Sequence, residues 1–304
     1  MTSDVTTDVL LTGGSGQVGH EVMRQAPAGM NVVAPGRAEL DLSDSDAILA
    51  MVASRPWAAV INCAAYTAVD RAESEAVEAW RANALGPATL AQVTAAAQIP
   101  LIHVSTDYVF DGSKAGYYAE GDPVAPLGVY GASKEAGEQA VRTGNPRHVI
   151  LRTAWVVSPH GSNFIKTMLR LAETRPEIRV VDDQRGCPTS AIDIAAVLLH
   201  IAGRMIAAPQ AAPSGTYHFV NGGEATWYEL ARTVFDLAAA RGYPAPKVEA
   251  ITTAEYPTPA RRPANSRLDV AKLRGDYGIT PRPWRAAVED IVEALLPAKQ
   301  EQGS

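Results

Sequence analysis

LLTGGSGQVGHEV (residues 10–22) carries an apolar, strand-like run into glycines at 13, 16 and 19 and then into a segment with helical spacing. A strand, a glycine-rich turn and a helix start, in that order, form a site for a phosphate. Backbone N–H groups and the positive end of the helix dipole meet the anion, and glycine removes the Cβ that would keep it away. The spacing is G-x-x-G-x-x-G, which departs from the G-x-G-x-x-G dinucleotide fingerprint. A purely structural turn is the competing account. The motif gains weight from its position at the first strand-to-helix crossover, where an open parallel sheet holds a dinucleotide. Gly13, Gly16, Gln17, Val18 and Gly19 are therefore candidate cofactor contacts.

Outward from this turn, apolar runs at 8–11, 31–35, 58–65, 101–105 and 148–153 alternate with helical spacing at 17–26, 44–54, 75–97 and 130–143. Strands apolar on both faces that alternate with helices indicate a parallel sheet of βαβ units. After residue 155 the alternation weakens and Pro and Gly become frequent. Short strands mix there with helices near 163–173, 190–206, 226–241 and 284–296. The expected fold is α/β: a Rossmann-type doubly wound parallel sheet with a smaller C-terminal α/β substrate lobe. Residues 1–155 form the cofactor domain, with parts of the middle region returning to it. Residues 156–296 are mainly the substrate lobe, and the polar stretch 297–304 is a disordered tail.

A chain of 304 residues with 47% hydrophobic content can bury a sizeable core. The formal charge of −6 argues against nucleic acid as a partner, so an anionic ligand must meet local cations. The N-terminus lacks a basic segment followed by an apolar one, and no run of eighteen apolar residues occurs, so a cytoplasmic protein with no membrane partner is expected. Cys63 and Cys187, without C-x-x-C spacing, read as reduced packing residues.

Three further stretches carry chemistry. The second strand ends in APGRAELDLSD (34–44), where no carboxylate stands at the tip to hold a ribose 2′-hydroxyl. Arg37 is placed there to meet a 2′-phosphate, and Asp41 and Leu42 to hold the adenine edge. A solvated surface arginine is the plainer account of Arg37. VSTDYVFDG (104–112) ends the fourth strand, so Ser105 and Thr106 lie where such sheets bind ligands, although a Ser-Thr-Asp turn would read the same way. VYGASKEAGEQ (129–139) puts Tyr130 and Lys134 four apart, on one helix face. A surface helix with an aromatic over a lysine stem explains that pair alone. Hydroxyl, phenol and amine downstream of a dinucleotide turn are together the parts a carbonyl reduction requires.

The combination TGxxGxxG with (S/T)…YxxxK resembles the extended short-chain dehydrogenase/reductase superfamily. More specific strings narrow the resemblance: NCAAYTAVDRAE (62–73), VSTDYVFDG, YGASKEAGE (130–138), RTAWV (152–156), NFIKTMLRLA (163–172), VVDDQRGCPTS (180–190) and RPANSRLD (262–269). They are similar to the dTDP-4-dehydrorhamnose reductase family, from the first strand into the final helix. The resemblance implies reduction of the C4 ketone of dTDP-4-dehydro-L-rhamnose (dTDP-6-deoxy-L-lyxo-4-hexulose) by NADPH, with NADH as the alternative cofactor.

In that chemistry Tyr130 is the acid for the developing alkoxide, and a neighbouring ammonium at Lys134, together with the cationic nicotinamide ring left after transfer, is expected to bring its phenol, ordinarily near pKa ~10, toward the working pH; Lys134 also hydrogen-bonds the nicotinamide ribose, so Tyr130 and Lys134 are cofactor contacts too. Thr106 polarises the ketone, worth roughly 2 to 4 kcal/mol if it acts as other oxyanion donors do, with Ser105 as the alternative. Ala64, Ala65 and Tyr66, after the third strand, line the cofactor, while Thr67, Val69 and Asp70 face the substrate. The resemblance adds Asp107 and a sugar-packing Trp155. Arg262, Asn265 and Ser266 form a clamp for the dTDP pyrophosphate, and Asn163 and Thr189 contact nucleotide or sugar. Some relatives dimerise through a magnesium ion held by glutamates. Here only Glu21 matches, with Asp193 at another position, so no catalytic metal is expected and a homodimer is left open. Two rivals share the cofactor turn. A nucleotide-sugar epimerase or dehydratase would retain its nicotinamide through the cycle. A non-catalytic NADP-binding protein, like the regulatory subunit of methionine adenosyltransferase, would not need the full Thr106, Tyr130 and Lys134 set.

Overall fold

The computed structural model describes residues 6–297, so the tail expected to be disordered lies, apart from Pro297, outside the described residues. The first half alternates as predicted: β1 (Thr7–Thr12), α1 (Gln17–Arg24), β2 (Met30–Val33), α2 (Ser45–Ala53) and β3 (Ala59–Asn62). There follow α3 (Val69–Ala72), α4 (Ala76–Trp80), α5 (Gly86–Ala96), β4 (Leu101–Thr106), α6 (Val129–Gly144) and β5 (His148–Thr153). The single helix expected over 75–97 is divided, with a π-helical turn at Arg81–Leu85 between α4 and α5. Pro87 has no N–H to offer the Asn83 carbonyl, and the ladder widens in the turn before it.

Six strands form one parallel sheet in the order β10 (Gly215–His218), β5, β4, β3, β1, β2. Its sixth strand, β10, returns from the second half of the chain and pairs with β5. The order reverses between β1 and β3, which opens a crevice at their carboxyl ends, directly after Thr12 and Asn62. Side chains alternate across the sheet with period two. Val9 and Leu11 enter one core with Val22 and Leu198, whereas Leu10 enters the opposite core with Ile48, Leu90 and Val141. Each such fully buried aliphatic contributes about 1.5 to 3 kcal/mol of burial, so both faces of the strands are stabilised by covering helices.

Beyond β5 the elements are β6 (Val156–Val157), α7 (Phe164–Ala172), β7 (Glu177–Val181), β8 (Arg185–Gly186), β9 (Thr189–Ser190) and α8 (Ala191–Ala207). After β10 come β11 (Ala225–Thr226), α9 (Trp227–Ala239), β12 (Lys247–Ile251), α10 (Ala271–Tyr277) and α11 (Trp284–Leu295). Helix α8 lies against α1, while α7, α9 and α11 bury a separate cluster around Ile165, Leu230, Val234 and Ile291. A parallel pair of β7 and β12, joining residues 177–181 to 247–251, covers that cluster's edge. Among the described residues no helix is long and apolar enough to cross a membrane.

Candidate active site

A cleft of about 1010 Å³ opens at the crevice between β1 and β3. At its floor Gly13 has φ +75°, and a Cβ there would lie 2.6 Å from the backbone nitrogen of Ala64. Only glycine allows the turn after β1 to pass that close to the loop after β3. Gly19 fills the same need inside α1, since its Cβ would fall 2.1 Å from the Gly13 carbonyl oxygen. Helix α1 starts from Gly16 with no side-chain cap, so its first-turn N–H groups have no side-chain acceptor and border the cleft. An uncapped N-terminus of that kind, beside glycines, suits a pyrophosphate.

Gln17, Val18, Arg37, Asp41, Leu42, Ala64, Ala65 and Tyr66 all line this cleft. Arg37 is 86% exposed and its Nε donates to Asp41 Oδ2 at 3.0 Å, so the two side chains expected to act separately on the cofactor hold one another. The 64–67 loop is fixed by Asn83, a fully buried residue in the π-helical turn. Tyr66 N–H donates to its Oδ1 at 2.8 Å, and its Nδ2 donates to Tyr66 O and to Ser133 Oγ, each at 3.0 Å. The Tyr66 hydroxyl donates to Glu75, which Arg71 grips through both oxygens.

Deeper in the cleft, Thr106 closes β4, and its Oγ1 donates to Asp107 Oδ1 at 3.0 Å. Tyr130, in the first turn of α6, hydrogen-bonds Thr106 and meets Tyr108 edge-on, ring centroids 5.4 Å apart. Burial pushes the Tyr130 phenol up to about 12; the Thr106 bond opposes that rise and Asp107 adds to it. The expectation joined Lys134 to a cationic nicotinamide ring; in the cleft itself burial sets the direction, and Lys134 is not among the groups acting on the phenol. Desolvation disfavours phenolate more than the hydroxyl contact favours it, so Tyr130 is held protonated. Lys134 is buried, and that burial lowers its ammonium to about 8 against the opposing pull of Glu138 and Cys63. Its Nζ donates to Val104 O at 2.7 Å. Asp107 is also buried and is raised to about 6 by burial, with Ser266 and Thr106 holding it back. Ser105, the alternative hydroxyl, also lines the cleft, buried and with no hydrogen-bond partner for its Oγ among the described residues.

Trp155 borders the same cleft with φ +49°, a strained conformation for a large side chain. Its indole stacks on Trp227 at 3.6 Å, and Gly186 leaves room for the ring, since a Cβ there would lie 2.3 Å from it. Thr67, Val69 and Asp107 line the cleft too. The remaining expected substrate residues stand outside its lining, each with protein partners. Asp70 accepts from Arg262 at 2.8 Å, Asn163 donates to Gln17 at 2.9 Å, and Thr189, with no exposed surface, donates to Cys187 O. Asn265 holds the carbonyls of Lys114 and Gly116, and Ser266 reaches Asp107.

Glu21 is almost fully buried; Arg24 donates to it at 2.8 Å, and its ligand atom lies within 4.8 Å of those of His20 and His160. Asp193 is held by Arg282 and Asn221, at 2.9 and 2.8 Å. The sequence reading passed over His103, Asn62 and Asn83. An imidazole inside the apolar run LIHVS was a visible signal, whereas nothing local in RANALG marks Asn83.

Comparison with known proteins agrees with this geometry. The family model described as RmlD substrate binding domain matches residues 7–296. A dTDP-4-dehydrorhamnose reductase of Sinorhizobium fredii is 44% identical over 94% of this chain and 97% of its own. The crystal structure of a Clostridium acetobutylicum dTDP-4-dehydrorhamnose reductase superposes with a TM-score of 0.89 at 35% identity, covering 95% of this chain and 99% of that one. A Bacillus anthracis dTDP-4-dehydrorhamnose reductase, solved in complex with NADP, gives 0.87 at 33% identity, covering 94% and 98%. With a glycine turn, a Thr-Tyr-Lys cluster and matches over nearly its whole length, this chain belongs to the dTDP-4-dehydrorhamnose reductase family.

Proposed function

We propose that the protein reduces the C4 ketone of dTDP-4-dehydro-L-rhamnose to dTDP-L-rhamnose with NADPH. The observation that carries this reading is the convergence of Thr106, Tyr130 and Lys134 in the cleft bordered by the uncapped N-terminus of α1. Bound there, NADPH supplies a hydride to the carbonyl carbon. The open helix end and Gly13 turn fit its pyrophosphate, and Ala64 and Ala65 add apolar lining. Arg37, at the rim, is the cation available to a 2′-phosphate once it turns from Asp41.

Thr106 donates to the ketone oxygen by exchanging its bond to Asp107 for one to the substrate. Tyr130, protonated in its buried setting, gives its proton to the same oxygen as charge develops there. Lys134 stands one turn along α6 to return a proton to the phenolate. Trp155 packs the sugar, and Thr67 and Val69, which line the same cleft, contact the substrate. Arg262, swung from Asp70, meets the diphosphate, while Asn265 and Ser266 shape the loop that carries it. Asn163 acts through Gln17 at the cofactor end. Thr189 is buried and keeps only a supporting place under this reading.

The division at residue 155 into cofactor and substrate lobes, and a cytoplasmic location, belong to the same proposal. The separate apolar cluster of α7, α9 and α11 supports the division. The direct test mixes the protein with NADPH and the ketosugar and follows loss of the reduced-nicotinamide absorbance. Stoichiometric, sugar-dependent oxidation is expected. A ketosugar that is isomerised without net oxidation favours an epimerase, and no reaction with tight NADPH binding favours a regulatory protein.

A further inference from the structure

A row of buried polar side chains crosses the sheet below the cleft: Thr12 on β1, Asn62 on β3, His103 on β4 and Lys134 on α6, none more than 2% exposed. Thr12 Oγ1 lies 2.5 Å from Asn62 Oδ1, a separation that suits O–H···O and is short for N–H···O. The same Oδ1 accepts from Ala64 N–H at 3.2 Å. Both contacts orient the amide, so Asn62 Nδ2 donates to His103 Nδ1 at 2.9 Å. Nδ1 must then carry a lone pair, and a neutral ring holds its proton on Nε2. That nitrogen faces Lys134 Nζ at 3.5 Å. An N–H facing an ammonium sets two donors against each other; facing a neutral amine, it has an acceptor.

We propose that His103 is a positioning residue for Lys134: its Nε2–H stabilises the uncharged amine left after Lys134 has returned a proton to Tyr130. This rests on the roles given above to Tyr130 and Lys134. The Tyr130 O–H bond breaks as the alkoxide is protonated. One N–H bond of the Lys134 ammonium then breaks, and its proton ends on the Tyr130 oxygen, directly or through a hydroxyl between them. The freed lone pair accepts from His103, and a proton from solvent restores the ammonium.

The other titratable groups around Lys134 are Tyr130 and Glu138 on its own helix and Cys63 after β3. Glu138 favours the ammonium, and its charge is shared with Arg152 of β5 and with Arg142. Burial and the nearby lysine both hold His103 well below its ordinary value, consistent with a neutral ring.

The test reads protonation directly by ¹⁵N NMR of the full chain with NADP⁺ bound. In the wild type the His103 ring should show the Nε2–H tautomer; an Nδ1–H tautomer would overturn the proposal without any variant. His103→Asn keeps an acceptor toward Asn62 but removes the donor toward Lys134. It should raise the Lys134 proton affinity about tenfold, one pH unit. The basic limb of the kcat profile should move up with it, with little change in the NADPH KM. His103→Gln, which retains an N–H at the Nε2 position, should return both toward wild type. If Lys134 titrates alike in the wild type and His103→Asn, or if His103→Gln shifts as His103→Asn does, His103 only fills space. The NMR readings need no turnover, so failure of the ketosugar assay leaves this question separately answerable.

Discussion

The two walls of the cleft are built by different means. The wall assigned to the cofactor is largely backbone: the Gly13 turn, the uncapped start of α1 and the Ala64-Ala65 loop, each within a few residues of a strand end. The residues assigned to the sugar nucleotide that stand behind the cleft's lining are side chains held by partners distant in sequence. Arg262 and Asp70 are 192 residues apart, and Asn265 reaches the Lys114 carbonyl across 151. A backbone cradle holds its shape through the sheet, whereas the opposite wall depends on polar pairs that a ligand must rearrange. Thr106, Tyr130 and Lys134 lie where the two meet, and Asp107 links them to Ser266.

The largest effect should come at that meeting point. Tyr130→Phe keeps the ring but removes the transferable proton, so kcat should fall by ~10² to 10⁴ while NADPH binding by titration holds. Turnover within a few-fold of wild type would remove Tyr130 as the acid and leave the walls with no shared chemistry.

Next comes Asp107, the seam between the walls. Its folded pKa of about 6 lies above the ordinary value of 3.8 for this carboxyl, so its contribution to stability is complete below about 4 and is lost as pH rises through about 6. At about 1.4 kcal/mol per unit the difference is about 3 kcal/mol. Asp107→Asn should therefore gain stability relative to wild type between pH 4 and 7, measured by denaturant unfolding at each pH. A constant offset across that range would mean that Asp107 titrates normally and the seam is open to water.

Arg262→Ala tests the side-chain wall. Loss of a charge-assisted bond should weaken dTDP binding by about 1.5 to 3 kcal/mol and leave NADPH untouched. Asp70→Asn, which frees Arg262 from its resting partner, should strengthen dTDP binding or leave it unchanged. Equal loss of both ligands in Arg262→Ala would show a damaged fold and erase the distinction between walls. Arg37→Ala should give the smallest effect, a few-fold rise in the NADPH KM with less change for NADH. The exposed guanidinium already shares Asp41 and is well solvated. Equal changes for both cofactors would return Arg37 to the solvated surface.

The same contrast explains what could be read from the sequence. Strands β1 to β5 and the glycine turn were legible because short runs apolar on both faces and a phosphate motif are local patterns. The end of β5 at Thr153 coincides with its predicted limit. Tyr130 and Lys134 were legible because helical spacing alone puts them on one face. Strand β10 was not singled out: GTYH is short and not an apolar run, and only pairing with β5 makes it part of the sheet. The hold of Asp70 on Arg262 and the row from Thr12 to Lys134 exist only once strands far apart in sequence are adjacent. The burial that raises Tyr130 is likewise a property of the assembled cleft, whereas the expected lowering was argued from charges, those of Lys134 and a cationic nicotinamide ring.

The central claim is that hydride passes from reduced cofactor to the C4 carbon of the sugar within this cleft. NADPH carrying deuterium at the transferable position, incubated with dTDP-4-dehydro-L-rhamnose and the protein, tests it by NMR of the product. The account predicts one deuterium at C4 of dTDP-L-rhamnose for each NADP⁺ formed, and almost none with Tyr130→Phe. Deuterium retained on the cofactor while the sugar changes configuration, or label at any other carbon, would contradict it.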